Sequence, residues 1–163
     1  MALAVPPLRK LSHKSARKAV QLGYTNAKVF DAGYPAWKQA YGAAPAAVQV
    51  KAGGEEGSID LATFKKIIKD NPQSIYLVDV RDADEFAAGH FQTAVNIPVD
   101  QLEGKIDTLP TDQPIVFVCS TGARSGESYY MLQDLKPDLK KVYYLEAEVE
   151  YKKDGSYKII KAQ

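Results

Sequence analysis

An α/β fold with a central, mostly parallel sheet and helices on both faces is predicted by two features of this sequence. Short apolar runs bounded by turn residues alternate with segments of helical periodicity, the pattern of strands joined by helical crossovers. A chain of 163 residues is also long enough to bury a core without disulfides or metals. One departure is expected: the C-terminal end carries a β-hairpin signal and breaks the alternation.

The elements run in order along the chain. "SIDLATFKKIIKDNP" (58–72) offers a serine or aspartate cap, places Leu61, Phe64, Ile67 and Ile68 at helical spacing, and is closed by Pro72. "SIYLVDV" (74–80) is a compact apolar strand. "DADEFAAGHF" (82–91) reads as a short helix capped by Asp82 and ended by Gly89. "AVNIP" is a brief strand stopped by Pro98, and "VDQLEGKIDTLP" a weak helix ending before Pro110. "PIVFVC" (114–119) is the most apolar strand of the chain, "SGESYYMLQDLKP" a helix, and "KVYYLEAEVEY" (141–151) another strand. Asp154-Gly155, between "VEYKK" and "SYKII", is the hairpin signal.

Composition narrows the function. Hydrophobic residues at 45% and charged residues at 25% are ordinary globular values, and a net charge of +1 gives no general attraction to nucleic acid or an anionic membrane. Neither is expected as a partner. No run of about 18 apolar residues and no secretory signal core stands out, so the default expectation is a cytoplasmic protein. A periplasmic location is expected only if the chain is a fragment of an exported protein. The basic start, with Arg9, Lys10, Lys14, Arg17 and Lys18, reads as a solvated helix face rather than a targeting peptide.

The single cysteine, Cys119, excludes an internal disulfide and lies where "PIVFVC" meets "STGARSGESYY". In a parallel sheet, reactive groups collect where strands end and helices begin. Ser120, Thr121, Gly122 and Ala123 are small enough to let backbone N–H groups turn inward as an anion nest. The next helix aims its N-terminus at the same place, and Arg124 adds a full charge. Such a field favours the thiolate, hence a nucleophile. The bland reading is a buried cysteine acting as a small hydrophobe.

These motifs carry a resemblance: "CSTGARS" (119–125) and "LVDVRDADEFAAGHFQTAVNIP" (77–98), at their mutual spacing, resemble the active-site loop and the aspartate-valine-arginine and glycine-histidine signatures of rhodanese domains, over about residues 58 to 146. The resemblance implies a rhodanese-like sulfurtransferase. Cys119 would take sulfur from a small anionic donor such as thiosulfate, hold it as a persulfide and pass it to cyanide or a thiol. Ser120, Thr121, Gly122, Ala123, Arg124 and Ser125 would bind substrate, with no metal and no organic cofactor. Asp79 is expected to accept hydrogen bonds from loop backbone and Arg81 to pair with Glu85 or Asp84, both bracing the site. His90 belongs to a turn motif and is left out of the chemistry. The loop spans six residues from Cys119 to Arg124, similar to sulfurtransferases. Phosphatases and arsenate reductases of the same fold carry a longer loop and supply the second enzymatic reading. A noncatalytic interaction module is the rival from another class.

Rhodanese domains usually end with a glycine pair and a tryptophan-bearing helix, which "YYLEAEVEYKKDGSYKII" lacks. The leading segment has them instead: "SHKSARKAVQLGYTNAKVFDAGYPAWKQAYG" (12–42), with Gly33 and Trp37, looks like the second half of another copy. The expected organisation is therefore a partial segment at 1–42, without an active site, a linker at 43–57 and a catalytic domain at 58–163. The partial segment would expose an apolar face unless it packs on the body or on another copy of the chain, so a homo-oligomer formed through it is one expectation. Trp37, Phe30, Val29 and Val20 are the contact residues expected.

Overall fold

A computed structural model describes residues 48–161, together with Arg17, Lys18, Val20 and Gln21, which are helical and exposed. The chain divides into two units, Met1–Ala44 and Pro45–Gln163, and the second contains the sheet and Cys119. Gly33, Trp37, Phe30 and Val29 lie outside the described residues.

Four strands form one parallel sheet: β1 (Tyr76–Asp79), β2 (Val95–Asn96), β3 (Ile115–Val118) and β4 (Val142–Tyr144), in the order β2-β1-β3-β4. Tyr76 faces Ile115 and Asp79 faces Val118 across β1 and β3, while Ile115 faces Val142 across β3 and β4. Alternation of side chains along a strand divides the core in two. Ile115, Phe117 and Cys119 share one face with Tyr129 and Leu132, whereas Val116 and Val118 share the other with Phe64 and Ile67. This is why "IVFV" is apolar throughout: all four residues are buried, each against one face or the other.

The helices match the predicted signals. Asp60 caps α1 (Leu61–Asp70), accepting from the Thr63 amide at 2.9 Å. α2 (Ala83–Ala88) starts after Asp82, whose amide donates to the Glu85 carboxylate at 3.4 Å, and stops at Gly89. The weak helix after Pro98 is one turn of α3 (Val99–Leu102) continued as 3₁₀ over Glu103–Thr108. α4 (Ala123–Leu135) comes directly after the β3 loop and turns Tyr129 and Leu132 onto the sheet. No helix among the described residues is long and apolar enough to cross a membrane.

Two expectations change. "KVYYLEAEVEY" is not one strand. After β4 the chain leaves the parallel sheet at Glu146, and β5 (Ala147–Tyr151) pairs antiparallel with β6 (Tyr157–Lys161), from Ala147 opposite Lys161 to Tyr151 opposite Tyr157. The cause is in the pattern: Ala147 and Val149 are buried while Glu148 and Glu150 are exposed, an alternation that suits a one-sided ribbon rather than a strand covered on both faces. The turn signal at Asp154-Gly155 does close this hairpin, with Lys152 N–H donating to Ser156 O at 2.9 Å. Second, the segment read as a linker joins the body from residue 48 onward. Val48 and Val50 pack on the core. Ser58 makes a parallel bridge to Tyr144 beside the β4 edge, with Ile59 N–H donating to Tyr144 O at 2.9 Å.

Candidate active site

Cys119 is the first residue beyond β3, and the ladder holds its strand to the end, with Val80 N–H donating to Val118 O at 3.0 Å. Its Sγ accepts the Gly122 amide at 3.1 Å. Gly122 precedes α4 with φ 94°, a conformation that turns its N–H back toward the strand end and that a side chain resists. The first turn of a 13-residue helix therefore begins beside the sulfur. Ser125 Oγ stands 3.5 Å from Sγ, yet it also lies 2.9 Å from Gly122 O and 3.1 Å from Leu145 O. With its one proton on a carbonyl it accepts from a thiol; to donate to a thiolate it must turn from that carbonyl. Ser120 is half-buried, and Thr121 and Ala123 are exposed on the outer side of the loop.

The cysteine is not open to solvent, and in this it fits the bland reading of a small hydrophobe at a strand end. Cys119 is 1% exposed. Its side chain lies in the core cluster with Val80, Phe117, Tyr129 and Leu132, while the C-terminal hairpin lies against the backbone of the loop. Val149 N–H donates to Ser120 O at 2.8 Å, and the Tyr151 hydroxyl donates to Cys119 O at 3.3 Å. A Cβ on Gly122 would stand 3.3 Å from the Glu146 Cα.

Arg124 is near the loop but occupied. Its guanidinium forms a two-point pair with Glu85 of α2, Nη1 to Oε2 at 2.6 Å and Nη2 to Oε1 at 2.9 Å, with Asp82 Oδ2 at 3.6 Å. The hydrogen bond to Arg124 holds the Glu85 carboxyl below its ordinary pKa, and Glu85 in turn raises that of Arg124.

Asp79 and Arg81 form a second pair beneath the loop, correcting the expected partner of Arg81. Arg81 turns to Asp79, not to the carboxylate of Glu85 or Asp84: Nε donates to Oδ1 at 2.9 Å and Nη2 to Oδ2 at 2.7 Å. It reaches Glu85 only through that residue's backbone oxygen, at 3.5 Å. Burial decides this, since Asp79 is fully buried on the same strand end and would otherwise be an uncompensated interior charge. Asp79 also accepts the amide of Arg81, two residues on, at 3.1 Å. Burial works against the Arg81 charge, but its bonds and attraction to Asp79 more than offset that and raise its pKa. Nη2 also donates to Gly89 O at 2.8 Å, and the guanidinium lies 3.7 Å over the Tyr151 ring. Burial pushes the Tyr151 phenol well above its ordinary pKa, keeping it a donor.

Sequence reasoning missed Tyr151 and Asn96, whose amide donates to Asp79 O at 3.0 Å and Arg81 O at 2.8 Å. A polar residue closing an apolar strand was the available signal for Asn96; for Tyr151 there was none locally. His90 stacks on Phe86 at 3.8 Å and points Nδ1 at Phe86 O, 2.8 Å away, so it serves the turn.

The fold and site define an α/β protein with a cysteine at the end of a central parallel strand, on a short loop that opens a helix. The family model "Rhodanese-like domain" matches residues 60–150, and the chain belongs to that family. It is 37% identical over 67 residues to "Putative sulfurtransferase YtwF" of Bacillus subtilis, an overlap of 41% of this chain and 64% of that protein. It is 30% identical over 84 residues to "Putative sulfur carrier protein YrkF" of the same organism, covering 47% of this chain and 45% of that one. The chain thus spans about half to two thirds of the length of these relatives. A human single-domain sulfurtransferase, TSTD1, superposes with a TM-score of 0.48 at 21% identity, over 57% of this chain and 90% of its own.

Proposed function

We propose that the chain is a sulfurtransferase in which Cys119 carries the sulfur as a persulfide. The observation that supports this most is the Gly122 amide on Sγ at 3.1 Å, at the foot of α4, on a six-residue loop. In the first step the Cys119 thiolate attacks the outer sulfur of a donor. The Sγ–S bond forms, the donor's S–S bond breaks, and its electron pair leaves with sulfite or with an organic thiolate. In the second step cyanide or a thiolate attacks the outer persulfide sulfur and the Cys119 thiolate is released. Backbone amides and the helix end favour the negative charge that resides on sulfur in both steps. Ser120, Thr121 and Ser125 bring hydroxyls to the loop, Gly122 and Ala123 make it narrow, and Arg124 stands at its rim, paired with Glu85. Asp79 and Arg81 brace it from below.

The near-complete burial of Cys119, with Arg124 held by Glu85, favours a second reading, a binding module with an incidental thiol. One experiment decides between them. Wild-type protein treated with thiosulfate or a thiol persulfide gains the mass of one sulfur and loses it to cyanide as thiocyanate, while Cys119→Ser gains none. No gain in the wild type, or an equal gain in Cys119→Ser, overturns the sulfurtransferase reading.

A further inference from the structure

The cation that a small anionic donor would meet at the loop is already neutralised. Arg124 presents its paired nitrogens to both oxygens of Glu85, and Asp82 stands at 3.6 Å on the same guanidinium. Glu85 is fixed in turn by its place in α2, where it accepts the Asp82 amide at 3.4 Å. The group is half-buried, 28% exposed on the arginine side and 34% on the glutamate side, so solvent only partly screens it. One guanidinium thus faces two carboxylates, with Asp84 exposed on the same short helix.

From this geometry we infer that Glu85 sets donor specificity, by holding Arg124 away from anionic donors and turning the site toward sulfur carried on an organic thiol. The inference rests on the sulfur-transfer reading of Cys119. Thiosulfate is a dianion. To use Arg124 it must displace Glu85 and then sit beside the displaced carboxylate and Asp82. A thiol persulfide needs no guanidinium: its terminal sulfur, with at most one charge, meets the Gly122 amide that already contacts Sγ. Its carbon side leaves as a thiolate once the Sγ–S bond has formed. Like charge at the rim thus works against the first donor far more than the second.

The test measures sulfur loading of Cys119 by intact mass at low ionic strength. Two donors are compared, thiosulfate and the persulfide of 2-mercaptoethanol, whose carrier is uncharged. Wild type is expected to load faster from the persulfide. Glu85→Gln keeps the size and the hydrogen-bond acceptor for the Asp82 amide but not the charge. It is expected to raise the thiosulfate-to-persulfide ratio of kcat/KM about three- to fivefold, carried by a lower KM for thiosulfate. Glu85→Asp keeps the charge and should leave the ratio close to wild type, which a loss of packing alone would not do. An unchanged ratio in Glu85→Gln, or a wild type that prefers thiosulfate, overturns the inference while leaving sulfur transfer standing. Loading from neither donor removes the sulfur-transfer reading and this inference with it.

Discussion

The parallel sheet and the β5–β6 hairpin reach the same cysteine from different sides and hold it by different means. The sheet anchors it: β3 is flanked by β1 and β4, its residues are buried, and Cys119 continues its Phe117 face. The hairpin ties down the backbone of the cysteine's loop through the Val149 amide on Ser120 O, the Tyr151 hydroxyl on Cys119 O and the close approach of Glu146 to Gly122. Yet β5 and β6 are a two-stranded ribbon, and Tyr157 of β6 is exposed. Such a ribbon opens at lower free energy than a central strand. The Cys119 side chain is therefore buried by the rigid layer, and the backbone of its loop is tied to the softer one.

Arg81 joins the two regions and should give the largest effect. Its guanidinium neutralises the buried Asp79 on the sheet side and lies on Tyr151 on the hairpin side. Arg81→Ala leaves a carboxylate unpaired in the interior, a loss of about 3–5 kcal/mol. A denaturant midpoint falling by that much, with faster alkylation of Cys119, is the expected outcome. A loss under about 1 kcal/mol, the size of an exposed pair, would mean that the regions are not coupled through this residue.

Two glycines sharpen the comparison at the next scale. Gly122 and Gly155 both have positive φ, 94° and 79°, but an added Cβ meets backbone at 3.3 Å from Glu146 in the first case and nothing within 4 Å in the second. Alanine at either position costs about 1–2 kcal/mol for the left-handed conformation. Only Gly122→Ala must also push the hairpin from the loop, so it should lower the melting temperature more and speed iodoacetamide modification of Cys119 beyond Gly155→Ala. Equal modification rates would show that access to the sulfur does not depend on the contact at Gly122.

The same division explains what could be read from the chain. The apolar run ending at Cys119, the small-residue loop, the Asp60 cap and the Asp154-Gly155 turn are local signals, and each reappears in three dimensions. Arg124 and Glu85 are 39 residues apart, and Tyr151 is 32 from Cys119. No period or motif links such pairs. Arg81 had four carboxylates within four residues, Asp79, Asp82, Asp84 and Glu85, and only burial of Asp79 chose between them. For β5 the signal lay unused in the chain: Glu148 and Glu150 alternate with the buried Ala147 and Val149, a pattern that suits a strand covered on one face and paired off the parallel sheet.

The smallest effect belongs to the rim. Glu85 has a pKa lowered from its ordinary 4.5, chiefly by its hydrogen bond to Arg124. The unfolded chain therefore takes up this proton at higher pH than the folded one, and the pair's stabilisation is fully present above pH 4.5 and fades as pH falls through the lower folded value. With about a third of the glutamate exposed, screening limits the contribution to under about 1 kcal/mol. The melting-temperature difference between wild type and Glu85→Gln should be steady from about pH 7 to 5 and shrink below. The effect of Arg81→Ala, set by a buried carboxylate, should exceed it throughout that upper range. A Glu85→Gln difference that grew on acidification would mean that Glu85 is not held as an anion by Arg124, and the rim would then have to be counted with the soft hairpin rather than as a fixed part of the loop.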